Sequence, residues 1–189
     1  MGKEYTEIDE RVQRWIDRQH MFFVATAPLE GDGLINCSPK GLNSFAVLGP
    51  RQIAYADVGG SGIETVAHVK QNGRITVMMC SFEGPPKIFR FYGEGRSLEA
   101  HEDGFAELAS RFEGLPTIRN IVVVDVDRII DSCGYGVPLY EYQGERDSLD
   151  NYFADKTEQD VHDYHRENNA TSLDGLPGLD VDQIPGASS

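Results

Sequence analysis

The chain has 189 residues, 40% of them hydrophobic and 25% charged, which is the composition of a soluble globular domain with extensions. Acidic residues outnumber basic ones, 31 against 17, and the net charge of −14 disfavours nucleic acid as a partner because a phosphate backbone would be repelled. No apolar run approaches the roughly 20 residues that span a bilayer, and the charged N-terminus lacks the apolar segment of a secretory signal, so we expect a cytoplasmic protein without a membrane partner.

The predicted elements begin with an amphipathic helix from about Tyr5 to Gln19, in which Val12, Trp15 and Ile16 recur at helical spacing. Short β-rich runs separated by Gly and Pro follow. They predict six strands: Met21 to Ala27, Leu34 to Ser38, Arg51 to Asp57, Arg74 to Phe82, Lys87 to Leu98 and Ile121 to Asp127. Helices are predicted at Gly62 to Asn72, Glu102 to Phe112, Leu149 to Asp155 and Glu158 to Glu167.

Short links between these strands favour antiparallel neighbours, and closure into a barrel protects the edges of such a sheet. The predicted fold is therefore mainly β with peripheral helices, a six-stranded antiparallel barrel. We assign residues 1–140 to the barrel and its N-terminal helix, and residues 141–189 to a C-terminal helical extension and acidic tail. The last residues, 181–189, carry too few apolar groups to offset the entropy of ordering, so we expect this tail to be dispensable.

Cysteine and histidine spacing gives no sign of a metal centre. Cys37, Cys80 and Cys133 lie far apart without a C-x-x-C pair, which excludes a thiolate zinc site and favours buried free thiols. His162 and His165 are one helical turn apart in an acidic segment, a pattern more typical of a solvated face than of a metal site.

The segment from Asp57 to Thr65 joins a predicted strand to a predicted helix and contains the run Gly59-Gly60-Ser61-Gly62. Ser61 and Glu64 have the spacing of a capping box. The segment has two possible interpretations. It either starts a helix and nothing more, or it binds phosphate, because glycines let backbone N–H groups approach a ligand and a helix N-terminus attracts an anion. The hydroxyl of Thr65 could contribute to such a site.

Two further segments carry polar groups at strand positions. In Asn36-Cys-Ser-Pro-Lys-Gly41, Pro39 ends the ladder and leaves Ser38 and Lys40 where a hydroxyl and a cation could meet phosphate or ribityl oxygens; a solvated turn is the alternative. In Pro86-Lys-Ile-Phe-Arg-Phe-Tyr-Gly93, alternation separates Arg90 from the two phenylalanines. Arg90 needs an anionic partner, either Asp57 or a bound flavin.

Taken together, these segments resemble the FMN-binding split barrel of proteins like pyridoxamine 5'-phosphate oxidase. The likeness runs from Asn36-Cys-Ser-Pro-Lys-Gly through Tyr55-Ala-Asp, Gly60-Ser-Gly-Ile-Glu-Thr and Asn72-Gly-Arg-Ile-Thr-Val-Met to Pro85-Pro-Lys-Ile-Phe-Arg-Phe-Tyr-Gly. It continues into Asp131-Ser-Cys-Gly-Tyr-Gly-Val-Pro138 and Ser172-Leu-Asp-Gly-Leu-Pro-Gly178.

The resemblance implies a split barrel, FMN as cofactor, and a homodimer with flavin at the subunit interface. It places the ribityl chain and phosphate on Asn36, Cys37, Ser38 and Lys40, and Asp57 near the ring. The implied residues at the phosphate end are Ser61, Gly62, Glu64, Thr65 and Arg90.

The resemblance also has departures that make vitamin B6 oxidation doubtful. Ile35 stands where true pyridoxamine phosphate oxidases have an arginine, and their C-terminal Arg-x-His and Arg-Leu-x-Pro are replaced by a Gly-Leu-Pro-Gly tail. We therefore expect an FMN-dependent oxidoreductase acting on an unidentified small molecule. The alternatives are a deazaflavin-dependent reductase and a flavin- or haem-binding protein without turnover.

Overall fold

The computed structural model describes residues 2–186, and within them a single sheet of eight antiparallel strands forms a split barrel. The strands are β1 (Glu4–Tyr5), β2 (Phe22–Thr26), β3 (Asn36–Lys40), β4 (Phe45–Gly49), β5 (Gln52–Asp57), β6 (Arg74–Cys80), β7 (Ile88–Glu99) and β8 (Asn120–Ser132). Neighbours follow the order β3-β2-β6-β7-β8-β5-β4, and β1 pairs with β8. The edge strands β3 and β4 are consecutive in sequence, and no pairing joins them among residues 2–186, so the barrel is split there.

Strand β8 shows how alternation divides the apolar residues between two cores. Val122 and Val124 point into the barrel, where they join the main cluster with Phe91 and other strand residues. Ile121 and Val123 point outward and are covered by helix α3 (Phe105–Ala109) and the segment that follows it. Because both faces are covered, this stretch of β8 is a continuous apolar run.

Helix α1 (Glu10–Ile16) packs on the barrel through its buried face, which includes Val12 and Trp15. The carboxylate of Asp9 caps it by accepting from the Val12 N–H at 2.8 Å. Farther along β8, Asp131 accepts from the Tyr5 hydroxyl and from Lys87 Nζ, each at 2.7 Å, which fixes the N-terminal segment on the sheet. Burial raises the pKa of Asp131, but these hydrogen bonds outweigh it and the pKa falls to about 2.

The predicted count of six strands is wrong. Strand β4 was missed because each of its residues is half-buried, so the segment lacks the alternation that predicts a strand. Strand β1 has two residues and is defined only by its pairing with β8. The six strands that were predicted are present with boundaries shifted by a few residues.

The remaining helices are α2 (Glu64–Asn72), α4 (Ser148–Phe153), α5 (Glu158–Asn168) and a short 3-10 helix, Val181–Gln183. None of the helices within residues 2–186 has the length and apolar character needed to cross a membrane. Residues 181–186 pack on the domain, since Val181 contacts Ile63 and Leu179 and Arg166 donates to the Ile184 carbonyl at 3.0 Å. That residues 181–189 are dispensable stays a prediction. Residues 187–189 lie outside the described part of the chain.

Candidate functional site

A cleft of about 1330 Å³ opens beside β3 and the segment that leads into α2. One wall consists of β3 and residues 57–65. A second wall consists of the turn after β6, His20 and residues 140–149, the last of which come from the C-terminal part of the chain. Both of the segments proposed from sequence to meet phosphate therefore line one cavity.

Three charged side chains form the centre of the first wall. Lys40 Nζ lies 2.5 Å from Asp57 Oδ1, and Arg119 Nη2 lies 2.9 Å from Asp57 Oδ2. The side chains of Asp57 and Arg119 are only 1% and 3% exposed, whereas that of Lys40 is 18% exposed. Burial raises the pKa of the Asp57 carboxyl, but the charges and hydrogen bonds of Lys40 and Arg119 outweigh it, so the pKa lies below its ordinary value. The cluster thus holds two cations and one carboxylate.

The guanidinium of Arg119 also holds the glycine-rich segment. Its Nη1 donates to the Gly60 carbonyl at 2.7 Å, and its Nη2 donates to the Gly62 carbonyl at 2.5 Å. Sequence reasoning missed Arg119 because it lies 62 residues beyond Asp57 and belongs to no recognisable motif. The only signal was that Asp57, at the end of a buried strand, requires a cation.

The predicted capping box of Ser61 and Glu64 is wrong. Helix α2 begins at Glu64 after Ile63, and no side chain caps its first turn. Glu64 Oε1 instead accepts from the Leu173 N–H at 3.3 Å. Among the hydrogen bonds formed by residues 2–186, none uses an N–H of residues 59–62, so these donors at the start of α2 have no partner in the described part of the chain.

A polar network orders the hydroxyl groups next to this loop. Asn36 Nδ2 donates to Thr65 Oγ1 at 2.9 Å and to Thr26 Oγ1 at 3.2 Å. Ser38 Oγ in turn donates to Asn36 Oδ1 at 3.0 Å. The amide of Asn36 therefore fixes Ser38 and Thr65 on the same wall of the cleft as Lys40.

Three predicted site residues do not line this cleft. Cys37 alternates to the other face of β3 and is exposed, and Ser61 is also exposed. Arg90 donates to Ser132 Oγ at 3.1 Å, and Asp57, one of its two predicted partners, is paired with Lys40 and Arg119 instead.

For two other expectations from the sequence, the predicted burial of the side chains differs from the burial in the structure. The expectation of buried thiols is wrong for Cys37 and Cys133, which are exposed, while Cys80 is buried and burial raises the pKa of its thiol. His165 is 6% exposed and does not belong to a solvated face.

Flat side chains form the second wall. The rings of His20 and Tyr142 stack with centroids 3.6 Å apart and an angle of 2° between their planes. Phe82 and Tyr140 stack at 5.3 Å, and the Tyr140 N–H donates to the Phe82 carbonyl at 3.0 Å. The cleft therefore joins a cationic, donor-rich wall to an aromatic one.

Comparison with known proteins gives one family. Residues 8–133 match the family model described as Pyridoxamine 5'-phosphate oxidase. The chain is 37% identical over 192 residues to the Pyridoxamine 5'-phosphate oxidase family protein ustO of Aspergillus flavus, a match covering 93% of this chain and 77% of that protein.

Solved structures agree on the fold. HupZ of Group A Streptococcus superposes with a TM-score of 0.56 at 20% identity, covering 67% of this chain and 94% of that one. A Lactobacillus delbrueckii protein, provisionally described as a pyridoxamine 5'-phosphate oxidase, has a TM-score of 0.51 at 16% identity, covering 67% and 98%. At these identities the solved structures support the fold alone.

Proposed function

The chain belongs to the pyridoxamine 5'-phosphate oxidase family, and from that membership we propose that it binds FMN in the cleft and uses it to oxidise or reduce a small molecule. The observation that carries the proposal is the pairing, in one cavity, of a phosphate-compatible wall with an aromatic wall. FMN has a phosphate at one end and a planar ring at the other, so it matches both walls.

The donor chemistry of the first wall fits a phosphate. An ammonium group has three N–H donors, and Lys40 uses one of them on Asp57, which leaves donors for an anion. The N–H groups of residues 59–62 and the positive end of α2 add to the attraction. A Cβ added at Gly60 would meet no atom closer than the Val58 carbonyl oxygen at 4.0 Å, so a ligand can approach the backbone closely.

Asp57 supports this wall without titrating near neutral pH. Both of its oxygens are engaged by cations, and its pKa lies below the ordinary value, so it stays ionised and orients Lys40. In this proposal the flavin, when bound, supplies the electron chemistry, and the protein orients the ring and excludes water. Side chains that exchange protons with a substrate are not required for the flavin to react.

Cys37, Ser61 and Arg90 lie outside the cleft of one chain. Any contact that the side chains of these three residues make with FMN requires a second copy of the chain to complete the site. The substrate is not pyridoxamine phosphate in this proposal, because the family's arginine is replaced by Ile35, which is 80% exposed.

The cofactor is tested by releasing it from the purified protein with denaturant and measuring its mass and absorption spectrum. We expect a yellow protein that releases FMN. If a deazaflavin is released, the fold assignment stands and the cofactor is a deazaflavin instead of FMN. If haem is released, or if the protein is colourless and does not take up added FMN, the proposal is overturned. Turnover is then examined by anaerobic reduction of the bound flavin with nicotinamide donors and reoxidation by candidate acceptors.

We also expect a homodimer. Large apolar side chains remain exposed on the single chain: Leu34 (52%), Ile35 (80%), Tyr135 (83%), Leu139 (75%) and Leu173 (80%). A second copy of the chain that covered these side chains would remove their apolar surface from water. Light scattering of the FMN-loaded protein should give twice the chain mass of 21.0 kDa. If the protein is a monomer and still binds FMN tightly, the flavin does not require a subunit interface, and that part of the proposal is wrong.

A further inference from the structure

Asn169 reaches the glycine-rich segment from outside the part of the chain that matches the family model. It is the C-cap residue that follows α5, and it is fully buried. Its Nδ2 donates to the Gly60 carbonyl at 3.0 Å and, at a longer distance of 3.4 Å, to the Ser61 carbonyl. Arg119 donates to the same Gly60 carbonyl. The C-terminal extension therefore contacts the backbone of the proposed phosphate site directly.

Because the peptide bond is planar, the direction of each of these carbonyls fixes the direction of the N–H group that follows it. The N–H that follows a carbonyl points in the opposite direction within the same peptide plane. Since the carbonyls of Gly60, Ser61 and Gly62 face Asn169 and Arg119, the N–H groups of Ser61, Gly62 and Ile63 point away from them. Successive N–H groups presented on one side form a concave anion-binding site.

Asn169 is itself held rigidly. Its N–H donates to the His165 carbonyl, and its carbonyl accepts from the Leu179 N–H, both at 2.8 Å. Leu179 packs on Ile63 and Val66, at the start of α2. Position 178 must be glycine, because an added Cβ would lie 2.2 Å from the Asn169 carbonyl oxygen.

The neighbouring imidazole adds no charge to this arrangement. Burial lowers the pKa of His165 to about 4, with a further contribution from Arg119, so the ring is neutral near neutral pH. The positive charge behind the segment therefore comes from Arg119 and Lys40, set against the carboxylate of Asp57.

We propose that Asn169 is a positioning residue, which together with Arg119 holds residues 60–62 so that the N–H groups of Ser61, Gly62 and Ile63 bind the phosphate of the cofactor. The inference rests on the proposed FMN site for the identity of the ligand. It assigns a role to the C-terminal extension, which supplies one of the two side chains that bind the carbonyls of this segment.

The test compares Asn169→Ala with Asn168→Ala, an exposed neighbour whose side chain donates to the Tyr164 carbonyl of its own helix. Dissociation constants for FMN and riboflavin are measured by quenching of flavin fluorescence. We expect Asn169→Ala to weaken FMN about tenfold and riboflavin less than about twofold, since one hydrogen bond to a phosphate-binding segment is lost. Asn168→Ala should change both by less than about twofold. Equal losses for the two flavins, or no loss, would overturn the proposal.

A second measurement separates this inference from the cofactor assignment. Inorganic phosphate is titrated into ¹⁵N-labelled protein without flavin, and the amide resonances of Ser61, Gly62 and Ile63 are followed. We expect these resonances to shift in the wild type and in Asn168→Ala, and to shift less in Asn169→Ala. If wild-type protein binds no flavin but these shifts occur, the FMN proposal fails and the role of Asn169 stands. Unshifted amides in the wild type would contradict that role.

Discussion

Asp57→Ala should lower the free energy of unfolding by about 3–5 kcal/mol, because it leaves a buried cation without its counter-charge. Arg119 is 3% exposed and would retain only the carbonyls of Gly60 and Gly62 as partners, while Lys40 would lose its bond to Asp57. Urea-induced unfolding of the cofactor-free protein, followed by tryptophan fluorescence, measures the change. Asp127→Ala is the control, since Asp127 is exposed on β8, and should change stability by less than about 0.5 kcal/mol.

The same variant should respond less to acid. The pKa of Asp57 is lowered in the folded protein, so its ionisation stabilises the fold above the unfolded-state pKa of about 3.9, and this contribution is lost as pH falls through the folded-state value. In Asp57→Ala this part of the acid dependence is absent. An Asp57→Ala protein as stable as the wild type, with the same loss of stability below about pH 4, would show that the ion cluster does not support the fold.

Lys40→Ala should weaken FMN by about one to two orders of magnitude, because a charge-assisted hydrogen bond contributes about 1.5–3 kcal/mol. Riboflavin lacks the phosphate and should lose much less. The comparison between the two ligands cancels any general effect of breaking the Lys40–Asp57 pair, because both ligands require the folded site. Fluorescence titration of wild type and variant with each flavin gives the four constants.

Lys87→Ala is the matched control for this experiment. Lys87 also lines the cleft and is also paired with a carboxylate, that of Asp131 at 2.7 Å. Asp131 lies at the opposite end of β8 from Asn120, the residue that pairs with Asp57. Removal of Lys87 should leave the preference for FMN over riboflavin unchanged. If Lys40→Ala weakens both flavins equally, Lys40 supports the fold or the ring, and the phosphate assignment must be withdrawn.

Local sequence patterns predicted the parts of this fold that depend on local physics. Alternation along the strand predicted that Phe89 and Phe91 share a core-facing side, and they are 2% and 0% exposed. The helical face of Phe105, Leu108 and Ala109 likewise packs against the outer core. Strand β4 lacked such a pattern because it is half-buried throughout, so its existence depended on pairing with β5.

The parts of the site that sequence reasoning missed depend on contacts between distant segments. Arg119 and Asn169 reach Gly60 from 59 and 109 residues away, and neither stands in a motif. The capping-box interpretation of Ser61 also failed through distant contacts: these two side chains bind the carbonyls of Gly60, Ser61 and Gly62, and Ile63 rather than Ser61 stands at the N-cap of α2. The glycines of residues 59–62 indicated that the backbone of this segment would face a ligand. They did not indicate which side chains would hold the segment in place.

The central feature of the proposed site is the phosphate of FMN lying against the glycine-rich segment and Lys40. The direct measurement is the affinity of the wild-type protein, freed of bound cofactor, for FMN and for riboflavin in the same buffer. We predict that FMN binds at least about a hundredfold more tightly, since the phosphate adds several charge-assisted hydrogen bonds. Equal affinities for the two flavins, or no binding of either, would contradict the proposed site.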